Sequence, residues 1–313
     1  QEVPYSRFQI DWLGTRVGQL FELIGCADSR PHLGFLPKTN ADINVDSHKI
    51  RDICTAFAVE YGFRACEFES LDTKELVARL KETIKRYNIN IETALDIGSG
   101  TGAGEWAIYD NCTNIKEILC IEREENMINL AKKLLEAYTG ITWINQDIVK
   151  SKVNNKADLV IVSYIINELL EEAKEKVIND IFNTFNKVLI FVEPGTPEGF
   201  SNIRKIQQLA LKNNLYVLAP CTAQSECKLP KEDWCHSVIR VERNKIHKFL
   251  KSAEVPYEDE KFSYIAISKQ NLEVKGSRIL RHPNISSGFI KTKLCTNGII
   301  EEKTFTKKDK ELF

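Results

Sequence analysis

The sequence predicts an α/β protein: a doubly wound, Rossmann-like sheet with a helical N-terminal region and a small cysteine-bearing basic module at the C-terminal end. Three observations predict it. From Ile91 onward, short apolar runs alternate with amphipathic stretches. A glycine-rich string, Asp96-Ile-Gly-Ser-Gly-Thr-Gly-Ala-Gly104, follows the first of these runs. After Leu215 the alternation stops, and Cys221, Cys227, Cys235 and Cys295 stand among basic residues. Buried apolar strands alternating with helices imply a parallel sheet covered on both faces, and right-handed crossovers give the doubly wound arrangement. The expected division is 1–90 for the helical region, 91–214 for the sheet domain and 215–313 for the basic module.

In the first region, apolar residues recur at helical spacing over Phe8–Ile24 and Ile50–Tyr61, and Asp72 or Thr73 caps a third helix through Tyr87. Pro31–Asn44, rich in Pro, Gly and Asn, is a loop. The second region has strands at Thr93–Ile97, Ile118–Ile121, Ile141–Ile144, Leu159–Ser163 and Val188–Val192. Its helices start at Gly104, span Glu125–Tyr138, run from about Asn167 to Phe185, and run from about Phe200 to Lys212. In the third region Phe262–Ile267 adds a strand to the main sheet, and Gly288–Leu294 and Ile299–Thr306 form a hairpin through Asn297-Gly298.

With 43% hydrophobic and 28% charged residues, the chain is neither disordered nor collagen-like. The longest apolar stretch, near Leu159–Ile166, is too short to span a bilayer, so no membrane helix is expected. The chain starts at Gln1 and its one methionine is Met127, which leaves a cleaved targeting segment open. The net charge of -1 hides an asymmetry: residues 1–200 carry 22 Lys+Arg against 31 Asp+Glu, residues 201–313 carry 21 against 13. A basic last third points to an anionic partner, most often nucleic acid, or to faces that are merely solvated.

The glycines at 98, 100 and 102 allow a tight turn and let a ligand approach the backbone. Glu122, 24 residues after Gly98 and at the end of the second strand, is placed to accept hydrogen bonds from two ribose hydroxyls. Gly98-x-Gly100-x-x-Ala103 also fits the dinucleotide fingerprint. Asp96 weighs against that, since a carboxylate repels a pyrophosphate and attracts a sulfonium or an ammonium. Asp-x-Gly-x-Gly-x-Gly resembles motif one of class I methyltransferases that use S-adenosylmethionine. In that resemblance Asp96, Gly98, Ser99, Gly100 and Gly102 form the cofactor loop. Glu122 is the ribose acid, and Asp147 reads the adenine amino group. No catalytic base is named, and Asn167 and Glu168 beyond the fourth strand read as helix-start residues.

Of nine cysteines, Cys26, Cys54, Cys66, Cys112 and Cys120 are scattered. The other four can satisfy a tetrahedral Zn²⁺ or a [4Fe–4S] cluster, or be unrelated thiols. Their wide, irregular spacing lacks short Cys-x-x-Cys knuckles and suits a cluster. His236 is an alternative ligand or a neighbouring donor. On a helix after Cys235, Arg240, Arg243, His247 and Lys251 would share one face, a phosphate-backbone contact or a solvated stripe.

Taken together, Asp96–Gly104, Ser163–Leu169, Glu193-Pro194-Gly195, the Cys221/Cys227/Cys235 spacing, Asp233-Trp-Cys-His236, Glu260-Lys-Phe-Ser-Tyr264 and the block Arg278–Lys310 resemble one family. It is the methyltransferase-like family of mitochondrial small-ribosomal-subunit assembly factors, with bacterial relatives. The resemblance covers Thr93 to the C-terminus. It implies a role in small-subunit maturation through contact with ribosomal RNA, with no DNA and no membrane as partner. It also implies a [4Fe–4S] cluster on Cys221, Cys227, Cys235 and Cys295, and an S-adenosylmethionine fold whose catalytic activity varies across the family. The compartment implied is the mitochondrial matrix or the bacterial cytoplasm. Rival readings are a catalytically inert RNA-binding scaffold with structural zinc or iron–sulfur, and a small-molecule methyltransferase.

Overall fold

The computed structural model describes residues 83–242, 255–306 and 309. The expected helices over Phe8–Ile24 and Ile50–Tyr61 lie outside these residues. Of the helix through Tyr87, residues 83–87 are described and are helical. In chain order the first elements are β1 (Thr93–Ile97), α1 (Ala103–Asn111), β2 (Glu117–Glu122), α2 (Glu125–Leu134), β3 (Ile141–Asn145) and β4 (Ala157–Ser163). There follow α3 (Glu171–Ile181), β5 (Phe185–Pro194), α4 (Pro197–Lys212), β6 (Tyr216–Ala219), β7 (Ser237–Glu242) and β8 (Tyr257–Ser268). The last four are β9 (Arg278–Ile279), β10 (Asn284–Ile285), β11 (Phe289–Thr296) and β12 (Ile299–Thr306). No helix among the described residues is long and apolar enough to cross a membrane.

The chain forms two compact units, and the described residues of the first are 98–147, 239–242 and 255–260. Here β2 and β3 run parallel, in register from Ile118 opposite Ile141 to Glu122 opposite Asn145. The helix α2 buries Ile128, Leu130, Ala131 and Leu134 along one face. It carries Glu125 in its first turn and Lys132 and Lys133 in its last, each complementing the helix dipole. It stops at Leu134 rather than at Tyr138. Tyr138 N–H turns back to Leu135 O at 2.9 Å, and the Tyr138 ring packs on Tyr109 with centroids 4.7 Å apart. Gly140, at φ 78°, then reverses the chain so that its carbonyl accepts from Ile118 at 2.9 Å.

The second unit contains residues 83–97, 148–238, 261–306 and 309 of the described chain. Its main sheet has the order β1-β4-β5-β8-β6. The strands β1, β4 and β5 are parallel, and β8 is antiparallel to both β5 and β6. The sheet is thus mixed, with the expected strand at Phe262–Ile267 inserted between β5 and β6. Leu159–Val162, Val188–Val192 and Tyr264–Ile267 are all buried, as strands covered on both faces require. The helix α4 packs on β5 and β6 through Phe200, Ile203, Ile206, Leu209 and Ala210. Thr196 caps it, its hydroxyl accepting from Gly199 N–H at 3.1 Å, and Pro197 occupies the first turn. A Cβ at Gly199 would stand 2.1 Å from Pro194 O, so only glycine lets the helix start against the end of β5.

Several boundaries differ from the sequence expectation. The helix expected from Asn167 is a short 3₁₀ turn at Ile166–Glu168, and α3 starts only at Glu171 because Leu169 and Leu170 are extended. At its far end, β5 begins at Phe185, which is fully buried, so the helix cannot reach that residue. The short strands β6 and β7 were not expected. Arg240 lies on β7, not on a helix. The hairpin β11–β12 forms as expected, with Asn297 and Gly298 at φ 48° and 80°. Together with β9 and β10 it makes a second, smaller antiparallel sheet.

Candidate functional site

In the first unit, three glycines take left-handed conformations, with φ of 77° at Gly98, 54° at Gly100 and 100° at Gly102. Their turn is tied to β2: Gly98 N–H and Ser99 N–H both donate to Ile121 O, at 2.7 and 3.1 Å. Gly102 N–H closes the loop on Ser99 O at 3.0 Å and is the residue from which α1 starts. Glu122 is half-buried at the end of β2. Its Oε2 accepts from Gly100 N–H at 3.0 Å and its Oε1 from Glu124 N–H at 2.9 Å. Each oxygen keeps a second acceptor site. Asp147 follows Gln146, whose N–H donates to Glu122 O at 2.9 Å, so it lies one step from the end of β2. The loop, Glu122 and Asp147 thus share one unit. Asp96 closes β1 in the other unit and is buried.

One residue by the loop escaped sequence reasoning. Glu105, in the first turn of α1, is fully buried, and burial pushes its carboxyl up to about 7. The Cys120 thiol donates to its Oε1 at 2.6 Å, and Oε2 faces Gly102. The sequence signal was an acid placed among apolar helix positions, which reads as an ordinary dipole-complementing residue.

In the second unit, Cys221, Cys227, Cys235 and Cys295 line one cavity whose walls include Phe200, Leu229, Leu280 and Ile300. Burial, then the neighbouring thiols of Cys235, Cys227 and Cys295, push the Cys221 thiol up to about 12. Burial also raises Cys235, against the opposing pull of the Arg278 guanidinium, and raises Cys295. Cys221, Cys235 and Cys295 so placed resist ionisation unless a cationic centre compensates them. Among the described residues, no three His, Cys, Asp or Glu side chains close on a single ion position. The donor set therefore fits a thiolate-bound centre in chemistry, with all four cysteines on the lining of one cavity.

The backbone of this loop is irregular and is held from outside. Arg204 on α4 donates to Cys227 O and Leu229 O, both at 3.2 Å. Gln207, one turn on, accepts from Cys227 N–H at 3.2 Å and donates to Ser225 O at 3.3 Å. Ser263 hydroxyl donates to Cys235 O at 2.9 Å, and Trp234 indole N–H donates to Gly195 O at 3.0 Å. Sequence reasoning missed Arg204 and Gln207; their signal was polar residues on the buried face of α4.

Of the expected RNA-contacting residues, Arg243, His247 and Lys251 lie outside the described residues. Arg240 forms a bidentate pair with Asp259, at 2.6 and 2.7 Å, and stands 4.0 Å from the centre of the Tyr257 ring. Asn167 and Glu168 sit in the 3₁₀ turn. Asn167 neighbours a buried network in which Glu193 accepts from Ile166 N–H at 3.0 Å and from the Asn202 amide at 3.3 Å. Lys174 completes the network, donating to Asn202 Oδ1 at 2.9 Å.

Fold and sites together define an α/β protein with a glycine-rich loop after its first strand and a four-cysteine cavity. Residues 65–313 match the family described as mitochondrial small ribosomal subunit Rsm22, and the chain belongs to that family. The match begins well before Thr93, so it reaches further toward the N-terminus than the sequence motifs do. The human protein named ribosome assembly protein METTL17, mitochondrial, is 29% identical over 155 residues, which is 44% of this chain and 34% of that protein. The chain's match thus spans about a third of that relative's length. Among solved structures, the N-methyltransferase NodS from Bradyrhizobium japonicum in complex with S-adenosyl-L-homocysteine is 12% identical, with a TM-score of 0.41, covering 63% of this chain and 87% of NodS. Magnesium protoporphyrin IX methyltransferase from Synechocystis, with the same compound bound, is 13% identical with a TM-score of 0.42, covering 63% and 83%.

Proposed function

We propose that the chain is an assembly factor of the mitochondrial small ribosomal subunit, built on a class I methyltransferase fold and acting in the matrix through contact with small-subunit ribosomal RNA. The observation that carries this reading is the family match over residues 65–313, which includes both the glycine loop and the four cysteines. Sedimentation of tagged protein from mitochondrial lysate tests it. Co-migration with small-subunit precursors is expected, and a position only at the top of the gradient overturns it.

In this reading the loop of Gly98, Ser99, Gly100 and Gly102, with Glu122 and Asp147, takes S-adenosylmethionine. Glu122 presents free acceptor sites to ribose hydroxyls while its bonds to Gly100 and Glu124 fix its orientation. The ligand supplies an activated methyl group when bound; the chain's residues bind and orient it, and no catalytic base is assigned. Titration calorimetry with S-adenosylmethionine checks the site directly.

Cys221, Cys227, Cys235 and Cys295 would hold a [4Fe–4S] cluster. Support comes from the four thiols lining one cavity, a donor set of the kind such clusters take. Anaerobic purification with iron, sulfide and zinc analysis decides. Stoichiometric zinc without sulfide replaces the cluster by the tetrahedral alternative.

A further inference from the structure

A second cavity opens on the outer side of α4 in the second unit. It has a volume of about 430 Å³ and is lined by Pro197, Phe200, Arg204, Lys205, Lys231 and Trp234, with Asp233 at its edge. That volume falls within the roughly 300–1,000 Å³ typical of small-ligand pockets.

The charges round it do not cancel. Lys231 is exposed and has no ion-pair partner among the described residues. Arg204 places one N–H of each terminal nitrogen on the carbonyls of Leu229 and Cys227, so its position is fixed, its charge meets no carboxylate and further N–H donors remain. Asp233, the one acid in the lining, is paired by both Lys293, at 3.3 Å, and Arg281. Lys205 pairs with Glu171, but Glu171 is shared with Lys174. The lining itself thus holds three cations, Arg204, Lys205 and Lys231, against one acid, Asp233, which is already matched by two cations, while Glu226 reaches the lining through Gln208 at 3.4 Å. A concave site with surplus positive charge concentrates anions. The indole of Trp234 lines the same space and is anchored by its bond to Gly195 O.

We infer that this cleft is an RNA contact, in which Lys231 and Arg204 take a phosphodiester group and Trp234 the base beside it. The inference rests on the RNA-binding reading above and adds a location that the basic stripe at 240–251 does not include. Fixed cations give backbone affinity, and an aromatic wall gives sequence-tolerant base stacking, the combination used by binders of single-stranded RNA. An acidic peptide would use the cations and leave the indole idle.

The test is fluorescence anisotropy of the full-length protein with labelled oligo(rA), titrated at several salt concentrations. Lys231→Glu is expected to weaken binding about three- to tenfold and to lower the log–log salt slope by about one, whereas Lys231→Arg binds as the parent does. Lys275→Glu, a charge reversal at another exposed lysine, is expected to change neither. Quenching of tryptophan emission on binding, lost in Trp234→Phe, is the second readout. If the parent binds RNA and Lys231→Glu binds it equally with the same slope, the cleft is not the contact while the RNA reading stands. If the parent binds neither oligo(rA) nor small-subunit RNA, the RNA reading falls and this inference with it. Preference for poly-glutamate over oligo(rA), with the same dependence on Lys231, overturns RNA as the occupant.

Discussion

The glycine loop and the cysteine loop solve the same problem, holding an irregular backbone in place, by different means. The first is held mainly by backbone: left-handed glycines and two N–H groups on Ile121 O, with the Glu122 carboxylate on Gly100 N–H. The second is held by side chains from distant elements, Arg204 and Gln207 on α4 and Ser263 on β8. A loop built on backbone conformation tolerates changes elsewhere and fails at its glycines. A loop built on borrowed contacts fails wherever its supports fail.

The sharpest break of that contrast is at the sulfurs. Replacing Cys227 and Cys235 together by serine is expected to cost more than about 4 kcal/mol, since loss of a folding-coupled metal centre is among the largest single lesions. Thermal unfolding followed by circular dichroism measures it, and an unchanged midpoint contradicts the proposed centre. Next, Gln207→Leu removes two bonds to the cysteine loop and strands Cys227 N–H and Ser225 O, an expected loss of about 1–3 kcal/mol by urea titration. Gly102→Ala forces a left-handed alanine and drives its Cβ to 2.5 Å from Leu135 Cδ1. About 1–2 kcal/mol is expected from the backbone. S-adenosylmethionine affinity should fall with it, while the cysteine region keeps its metal content.

A pH experiment sharpens the comparison further. Burial pushes the Glu193 carboxyl up to about 8, so the folded chain holds a proton that the unfolded chain releases near 4.5. Its contribution to stability is fully present below 4.5 and is lost as pH rises through about 8. Glu193→Gln should flatten urea midpoints over that window. The smallest expected effect is at Arg240, whose exposed pair with Asp259 should leave the unfolding midpoint unchanged when Arg240 is replaced by glutamine.

This difference also decides what was legible beforehand. The apolar runs at Leu159–Ser163 and Val188–Val192, the glycine string and the Asn297-Gly298 turn are local signals, and each became the element expected. Boundaries were less legible. Phe185 reads as the end of a helix, and its pairing opposite Ala157 makes it the start of β5 instead. The four cysteines were visible by type, yet the residues that hold them were not. Arg204 and Gln207 lie 23 and 20 residues from Cys227, and only the packing of α4 on the sheet brings them to the loop. Arg240 failed for the reverse reason: the helical spacing of 240, 243, 247 and 251 in the sequence said nothing of Asp259 across the strand pair.

The tight reversal at Asn297-Gly298 has one more consequence. Cys295 sits opposite Ile300 in the ladder, and side chains alternate from face to face along each strand. A Cβ at Gly298 would come within 3.3 Å of Ala223 and Ser225, so the bend itself presses on the segment between the first two thiols. Inserting one amino acid there would widen the bend against Ala223 and Ser225 and so displace the segment between Cys221 and Cys227 with every cysteine still in the chain.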